Sequence, residues 1–314
     1  PYYHCFGLVM GTLGAITRGA AMVIPAEYFD PEATLNAVEQ ERATTLYGVP
    51  TMFVAMLEHP SFKGRDLSSL RSGIMAGSPC PIEVMRKVID LMGMREVTIA
   101  YGLTEASPVI TQTRVDDSVE IRVNTVGRPL PGVEAKLIDP ETGAEIGDNA
   151  NGELCVRGHG VMLGYYNNDE ATQEVISTDG WLRTGDLALR YEHGNYSITG
   201  RIKDMVVRGG ANIYPREIEE FLFTHDEVEQ ASVVGVPDPK YGEELCAWVK
   251  LKPNAGVGTE ELRQFCKKSL AHYKVPRYVK FVEEFPQTVS GKIQKFKIRE
   301  QMIEELELEE QRTA

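Results

Sequence analysis

The feature that most constrains the fold is an alternation of short apolar runs with helical patterns between residues 19 and 108. The runs that predict strands are "AAMVIP", "TTLYGVP", "LRSGIMAG" and "VTIA". The segments that predict helices are "DPEATLNAVEQERA", "TMFVAMLEH" and "SPCPIEVMRKVIDLM". Asp30 is a candidate N-cap of the first helix, and Pro31 suits its first turn. Strands that alternate with helices in this way predict β-α-β units and a parallel sheet covered on both faces.

Three of the predicted strands end in segments rich in glycine, proline or hydroxyl groups. These segments are "YGVP" (47–50), "AGSP" (76–79) and "YGLTE" (101–105). Ligands of parallel sheets bind beyond the carboxyl ends of the strands. We therefore expect a pocket at this edge of the sheet, to which residues 47–52 and 75–78 contribute.

Downstream of this region the pattern changes twice. From about residue 126 to residue 190 the sequence predicts a hairpin followed by further short strands. The segments concerned are "VEAKLID-PETG-AEI", "NGELCVRG" and "NYSITG". After Gly200, alternating strand and helix patterns predict a compact α+β domain. The predicted α/β fold has three parts: a parallel αβαβ sheet portion (1–115), a small β-barrel-like subdomain (116–200) and an α+β C-terminal domain (201–314).

The charge balance argues against some classes of partner. With 33 Lys and Arg against 46 Asp and Glu, the formal net charge is −13 at pH 7. Such a balance disfavours general binding to nucleic acid or to acidic membrane surfaces. No run of about 18 uncharged apolar residues predicts a transmembrane helix. The oligomeric state stays open.

The five cysteines are scattered and form no C-x-x-C pair, so we expect no zinc site. An odd, sparse set fits buried thiols in a reducing compartment, and we expect a cytoplasmic protein. The opening "PYYHCFGLVMGTLGAITRGA" has no initiator Met and no basic leader, and it has the pattern of a buried segment within a domain. We therefore expect the C-terminal part of a longer protein, with any targeting region outside this chain.

The segment "YGLTE" combines groups that suit a nucleotide site. Tyr101 can stack on a flat heteroaromatic ring, and Gly102 lets the backbone approach a ligand. Thr104 can hydrogen-bond a phosphate oxygen, and Glu105 can hold a magnesium ion next to phosphates. An ordinary strand-to-loop transition, with Thr104 as a helix N-cap, explains the same residues equally well.

Two tight glycine turns carry an acid and a base. Asp186 lies in "RTGDLA", and Arg201 lies in "TGRIKDMVVRGG". Such a pair suits a ribose diol, which both donates and accepts hydrogen bonds. A surface ion pair is the competing interpretation, and for these residues taken alone it is the favoured one, because such pairs are common.

Lys292 lies in the polar loop "TVSGKIQK", within a basic neighbourhood. A compact ammonium on a long stem suits developing negative charge on a phosphate or a carboxylate, although most single lysines are simply solvated. His4 lies among apolar residues, where a hydrogen-bonded core histidine is the default interpretation. The six histidines offer no Ser-His-Asp spacing and no paired metal ligands.

Taken together and in this order, seven motifs resemble the adenylate-forming superfamily of acyl-CoA synthetases, adenylation domains and firefly luciferase. The motifs are "YYHCFG", "AGSPCP", "YGLTE", "GELCVRG", "GWLRTGD", "GRIKDMVVRGGANIYPREIE" and "SGKIQK". The resemblance covers essentially the whole chain. The wording of "VRGGANIYPREIE" and "TVSGKIQKFKIREQM" is most similar to fatty-acyl-CoA synthetases of the medium- and long-chain type.

The resemblance implies roles for the candidate residues at the nucleotide. The implied nucleotide-binding residues are Gly77, Ser78 and Pro79 on the wall between adenine and acyl pocket, Tyr101 against adenine, Gly102 beside it, and Asp186 and Arg201 on the ribose. The implied catalytic residues are Lys292, which would bridge the carboxylate and the α-phosphate, Thr104 at the phosphate and Glu105 at the magnesium ion.

The resemblance also implies a mobile C-terminal domain and sites for the other two substrates. Lys203 matches the hinge position about which the small domain swings. Gly209 and Gly210 match the glycine loop that lines the tunnel for the pantetheine of CoA. His4 falls near the implied position of the fatty-acid carboxylate, and Val49 falls on the wall of the acyl pocket.

The implied function is ATP-dependent fatty-acyl-CoA ligation, with ATP, Mg²⁺ and CoA. The family's phosphate-binding loop, which ends in Pro-Lys-Gly, does not occur in this chain, so we expect the chain alone to be inactive or nearly so. An adenylation domain that loads a carrier protein is one alternative. A non-catalytic nucleotide-binding remnant of a synthetase is another.

Overall fold

The computed structural model describes residues 1–78, 80–288 and 292–308. The chain divides into two compact units. The first unit comprises Pro1–Thr184 and Ala188–Ile198, and the second comprises Gly185–Leu187 and Thr199–Ala314.

The first residues of the chain differ from the prediction. A π-helix spans Phe6–Leu13 and helix α1 spans Gly14–Arg18, and neither has a buried residue. Residues 20–25 were expected to form a strand, but they are exposed and carry no strand. A strand needs a neighbour for its backbone hydrogen bonds, and no described strand pairs with this segment. Both expectations, a buried opening segment and a strand at "AAMVIP", are therefore wrong.

A sheet with helices between its strands follows, as predicted. Its elements are α2 (Pro31–Gln40), β1 (Thr45–Gly48), α3 (Pro50–Glu58), β2 (Ser72–Ala76), α4 (Ile82–Leu91), β3 (Glu96–Gly102), β4 (Val109–Gln112), α5 (Val119–Asn124) and β5 (Arg128–Pro129). The sheet order is β1-β2-β3-β4-β5. Strands β1, β2 and β3 are parallel, and β4 and β5 are added in antiparallel pairs. The predicted β-α-β units are confirmed.

Local chemistry explains where these elements begin and how they pack. The Asp30 carboxylate accepts a hydrogen bond from the Ala33 N–H at 2.6 Å, which caps α2 as predicted. Side chains alternate across a strand, so β2 and β3 face two apolar clusters. Met75 belongs to the larger cluster, and Ile74 packs in a smaller one against Phe6 and Met10. Burial on both faces fits the inner strands of a parallel sheet.

In the second sheet, strand β6 (Val133–Ile138) forms antiparallel pairs with β7 (Glu145–Ile146) and β8 (Asn151–Gly158). The further elements are α6 (Asp169–Val175), β9 (Leu182–Arg190) and β10 (Tyr196–Arg201). The predicted hairpin is confirmed, because β6 pairs with β7 through Leu137 and Ile146. Among the described strands the order β10-β9-β8-β6-β7 is an open path, without a pair that closes it into a barrel.

The second unit is an α+β structure. Its elements are β11 (Val206–Arg208), β12 (Ala211–Ile213), α7 (Pro215–Phe223), β13 (Val228–Asp238), β14 (Gly242–Leu251), α8 (Thr259–Ser269), β15 (Tyr278–Phe281) and α9 (Lys295–Glu305). The sheet order is β12-β11-β14-β13, and β15 pairs in parallel with β14. Its inner strands contribute to two apolar clusters, to which Leu245 and Cys246 respectively belong.

The helices of the described residues include none that is both long and apolar enough to cross a membrane. The cysteines are free thiols, and four of the five are buried: Cys80, Cys155, Cys246 and Cys266. Burial raises the pKa of the Cys155 and Cys266 thiols to about 11 and that of Cys246 to about 12. The expectation of buried thiols is confirmed for these four residues.

These pKa values predict a selective alkylation pattern. Alkylation requires the thiolate, and a thiol with a pKa of about 11 is only about 1% ionised at pH 9. In the native chain, iodoacetamide should therefore label the partly exposed Cys5 first, and raising the pH from 7 to 9 should leave Cys155, Cys246 and Cys266 unlabelled. Peptide mass spectrometry measures this, with the urea-unfolded chain as control. Native labelling of Cys246 at the rate of Cys5 would contradict the description.

Candidate functional site

The candidate site begins where β3 ends. Tyr101 and Gly102 are its last residues, and a 3₁₀ turn over Thr104–Ala106 follows directly. Tyr101 is half-buried against the main core, whereas Thr104 is exposed. The Thr104 hydroxyl lies 3.6 Å from the Cys5 thiol. The polar residues of "YGLTE" thus lie at the carboxyl edge of the parallel strands, as the sequence predicts.

Backbone packing explains why position 102 is a glycine, and the sequence alone did not show this reason. A Cβ atom at this position would lie 1.8 Å from the Pro108 carbonyl oxygen. The register of the β3–β4 pair also shifts between Tyr101 and Gly102. Because the close approach is between two backbone segments of the chain itself, the fold requires glycine here whether or not a ligand is bound. Contact of Gly102 with a nucleotide stays a prediction.

A segment that follows β8 holds the Thr104–Ala106 turn. The Met162 N–H donates to the Glu105 carbonyl at 2.8 Å. The Tyr165 hydroxyl donates to the Glu105 carboxylate oxygen Oε1 at 2.9 Å. Partial burial and this hydrogen bond to an anion raise the pKa of Tyr165. Tyr165 therefore stays a neutral donor to Glu105 at physiological pH.

The ends of β1 and β2 lie beside the opening segment of the chain. Val49 caps α3 directly after β1, and Gly77 follows β2 with φ of +90°. A Cβ atom at Gly77 would lie 3.1 Å from Val49 Cγ1 and 3.9 Å from the Phe6 ring. The Phe6 and Tyr47 rings stack with centroids 6.4 Å apart. The predicted acyl-pocket residue Val49 and the predicted wall residue Gly77 are thus brought together, next to aromatic rings.

Three further predicted residues belong to this region. His4 is half-buried, and its Nδ1 accepts a hydrogen bond from the Phe6 N–H at 3.2 Å. The Ser78 carbonyl lies 3.6 Å from the Cys80 thiol. Pro79 lies outside the described residues. The role of His4 near the fatty-acid carboxylate stays a prediction.

The predicted ribose-binding pair is an ion pair within the second unit. The Arg201 Nε donates to Asp186 Oδ1 at 2.8 Å. The Asp186 side chain is only 5% exposed, whereas that of Arg201 is 65% exposed. An ion pair with one partner this exposed adds little stability by itself. The acid of "RTGDLA" and the base of "TGRIKD" are thus paired in the structure, and the role of this pair in binding a ribose stays a prediction.

The predicted hinge and glycine loop also lie in the second unit. Lys203 is exposed in a 3₁₀ turn over Ile202–Asp204. Gly209 and Gly210 have φ of +58° and +83° and form the two-residue turn of the β11–β12 hairpin. Positive φ at both central positions is what a type I′ turn requires, and it favours glycine. The Gly209 N–H donates to the Tyr241 carbonyl at 2.8 Å, which fixes one side of the turn.

Lys292 is described, although residues 289–291 of its loop are not. Its N–H donates to the Thr288 hydroxyl at 3.1 Å, and its carbonyl accepts from the Thr288 N–H at 2.8 Å. An antiparallel bridge joins Gln287 to Ile293 beside it. The backbone of Lys292 is thus held by that of Thr288, shortly before α9 begins at Lys295.

The chemistry of the donor set decides whether magnesium fits. The described residues contain no cluster of three or more His, Cys, Asp or Glu side chains that could hold a metal. Mg²⁺ is commonly bound by one or two carboxylates together with substrate phosphates and water. A single carboxylate at Glu105, with one oxygen held by Tyr165, suits that mode of binding. The residues present therefore fit a magnesium ion that arrives with a nucleotide.

Sequence reasoning missed Tyr165. The two residues are 60 positions apart, and only the fold brings the Tyr165 hydroxyl to Glu105. The glycine-rich stretch "GHGVMLGYY" after a predicted strand was the available signal. Loops with several glycines often mark close backbone approaches, and here a Cβ atom at Gly160 would lie 2.8 Å from the Ala106 carbonyl oxygen.

The close approach at Gly102 predicts a large cost for any side chain there. Gly102→Ala should lower the free energy of unfolding by about 3 kcal/mol, because the added methyl group displaces the Pro108 backbone at the start of β4. Gly147→Ala is the matched control, since a Cβ atom at Gly147 meets nothing within 4 Å. Urea unfolding followed by circular dichroism measures both. A Gly102→Ala change no larger than that of the control would contradict the described packing.

Comparison with known proteins identifies the family. The model of the AMP-binding enzyme family matches residues 1–166, and that of the AMP-binding enzyme C-terminal domain matches residues 217–292.

Two curated relatives match nearly the whole chain. The chain is 57% identical to "Putative acyl-CoA synthetase YngI" of Bacillus subtilis, over 97% of this chain and 55% of that protein. It is 47% identical to "Medium-chain acyl-CoA ligase ACSF2, mitochondrial" of Bos taurus, over 98% of this chain and 50% of that protein. The chain therefore spans about half the length of the curated relatives it matches.

A solved structure supports the same assignment. ATP-bound MatB from Rhodopseudomonas palustris matches with a TM-score of 0.88 and 34% identity, over 96% of this chain and 59% of that one. Family models, curated relatives and this structure agree: the chain belongs to the AMP-binding enzyme family.

Proposed function

We propose that the intact protein is an ATP-dependent acyl-CoA ligase that activates a fatty acid as its acyl-adenylate and then transfers the acyl group to CoA. The observation that carries the proposal is the Thr104–Ala106 turn at the carboxyl edge of the parallel sheet, in a chain 57% identical to a protein named as an acyl-CoA synthetase. The cytoplasmic location stays a prediction.

The nucleotide would be recognised by residues of different chemistry. The Tyr101 ring would stack on adenine, with Gly77 and Ser78 on the wall beside it. The Asp186 carboxylate would accept hydrogen bonds from the ribose hydroxyls, with Arg201 as donor to their oxygens. The ion pair itself supports this, because it places an acceptor and a donor side by side, and the Arg201 side chain is 65% exposed.

The acid would lie in the region where Val49, Gly77 and Phe6 meet. Gly77, which has no side chain, and the half-buried Val49 offer an apolar wall for the start of an acyl chain. His4, which lies beside Phe6 in the same segment, would contact the carboxylate end. The name of the ACSF2 relative suggests a medium-chain acid, and the length of the acyl chain is left to experiment.

The first half-reaction makes a carboxylate reactive. A carboxylate is a poor electrophile because its charge repels nucleophiles. Its oxygen attacks the α-phosphorus of ATP, the bond to the bridging oxygen breaks, and pyrophosphate leaves with the electron pair. The Lys292 ammonium would offset the charge that builds on carboxylate and α-phosphate, and Thr104 would donate to a phosphate oxygen. A magnesium ion held by Glu105 would neutralise phosphate charge.

The second half-reaction forms the thioester. The thiol of CoA loses its proton and attacks the acyl carbon, and AMP leaves with the electron pair of the broken carbon–oxygen bond. The turn at Gly209 and Gly210 has no side chains, so a pantetheine chain can run close to its backbone. Lys292 and this turn serve different steps, and we propose that a swing about Lys203 presents them in succession.

This division of labour predicts unequal effects of one substitution. In the intact protein, Lys292→Ala should slow acyl-adenylate formation about 100-fold or more, because one charge-stabilising group is lost. Thioester formation from a supplied acyl-adenylate should change by less than about threefold. Rapid-quench single turnovers measure the two half-reactions separately.

The matched control is Lys297→Ala, which removes an exposed lysine of the same basic region in α9. It should leave both rates unchanged. Equal losses in both half-reactions of Lys292→Ala would refute the assignment. In the same assay, transfer to a phosphopantetheinylated carrier in preference to CoA would favour the alternative of a carrier-loading adenylation domain.

A further inference from the structure

The segment after β8 contacts the Thr104–Ala106 turn at three places. The Met162 N–H binds the Glu105 carbonyl, and the Gly160 backbone lies against the Ala106 carbonyl. The Tyr165 hydroxyl binds the Glu105 carboxylate. Two of these contacts hold backbone, so they fix where the turn lies. The third acts on the carboxylate itself and fixes how that group points.

Tyr165 is itself held from a helix. Its N–H donates to the Thr172 hydroxyl at 2.9 Å, and that hydroxyl donates to the Asn168 carbonyl at 2.8 Å. Thr172 lies in α6, which Asn168 caps through its side chain. The Tyr165 hydroxyl therefore reaches Glu105 from a backbone anchored outside the turn, and a shift of the turn alone would break the bond.

The hydrogen bond from Tyr165 occupies only one of the two carboxylate oxygens of Glu105. Among the described residues, hydrogen bonds reach Glu105 Oε1 from Tyr165, and none reaches Oε2. A glutamate side chain loses rotamer freedom when it binds a metal, and a partner that fixes one oxygen beforehand removes part of that cost. A neutral hydroxyl donor does this without placing a positive charge beside the metal.

We propose that Tyr165 is a positioning residue that orients the Glu105 carboxylate for the magnesium ion of the bound nucleotide. This inference rests on the proposed function, because it concerns the metal that accompanies ATP there. Tyr165 touches neither reacting atoms nor substrate in this account. It acts through Glu105, and its removal should weaken the effect of the metal and not the recognition of adenosine.

The experiment compares ATP affinity with and without metal. In the intact protein, calorimetry gives the Kd of ATP in excess Mg²⁺ and in EDTA, and the ratio of the two Kd values measures the enhancement by metal. Tyr165→Phe keeps the ring and removes the hydroxyl, and it should reduce this enhancement about tenfold while the Kd in EDTA is unchanged. Tyr166→Phe is the matched control: Tyr166 is 94% exposed, and this variant should change neither value.

A double-mutant cycle tests whether the effect passes through Glu105. Glu105→Gln should itself reduce the enhancement, and Tyr165→Phe should then cause no further loss in that background. Independent losses from the two substitutions would overturn the inference. Equal changes in the presence and absence of metal for Tyr165→Phe would also overturn it, since they would mean that the tyrosine merely anchors its loop.

The outcomes separate this inference from the proposed function. If the wild-type protein binds ATP with a metal-dependent Kd and Tyr165→Phe leaves that dependence intact, only the inference about Tyr165 fails. If the wild-type protein does not bind ATP under either condition, the proposed function fails and the inference fails with it.

Discussion

The parallel pairing of β1, β2 and β3 is the constraint on which the candidate site depends. Pairing of Gly48 with Met75 and of Ala76 with Ala100 brings three strand ends to one edge of the sheet. That register places Val49, Gly77 and Tyr101 at the same edge of the sheet, although they are far apart in sequence. A parallel sheet cannot be rearranged locally, because each strand is joined to the next through a helix. The position of the site is therefore fixed by the fold and its chemistry by the loops.

Close backbone contacts then shape the loops at this edge. Gly102 meets the Pro108 carbonyl, and Gly160 meets that of Ala106, at distances that exclude any side chain. These contacts bind the turn that carries Thr104 and Glu105 to its neighbours on two sides. The glycines thus have a role in folding as well as any role at a ligand, and a substitution there affects stability before it affects chemistry.

Much of the first unit could be predicted because its signals are local. The alternation of apolar runs and helical patterns predicts β1, β2 and β3, and Asp30 with Pro31 predicts the start of α2. The prediction failed at residues 20–25, where an apolar run has no strand to pair with in the described structure. An apolar composition indicates that a segment can form a strand, but the strand forms only where a neighbouring strand pairs with it.

The site could be predicted in part for the same reason. Motif residues such as Glu105, Asp186 and Arg201 can be found in the sequence because each lies in a recognisable motif. The expected glycine turns at the last two are wrong, since Asp186 lies within β9 and Arg201 ends β10. The pairing of Asp186 with Arg201 spans 15 positions and was expected, whereas that of Tyr165 with Glu105 spans 60 and was missed. Contacts of the second kind depend on tertiary packing, which no local pattern encodes.

The central claim is that a carboxylate oxygen attacks the α-phosphorus of ATP. It is tested most directly by supplying the intact protein with a fatty acid labelled with ¹⁸O in both carboxylate oxygens, together with ATP, Mg²⁺ and CoA. Mass spectrometry should find one ¹⁸O atom in the AMP released and one in the acyl-CoA. Unlabelled AMP, or label in inorganic phosphate released beside ADP, would contradict the account.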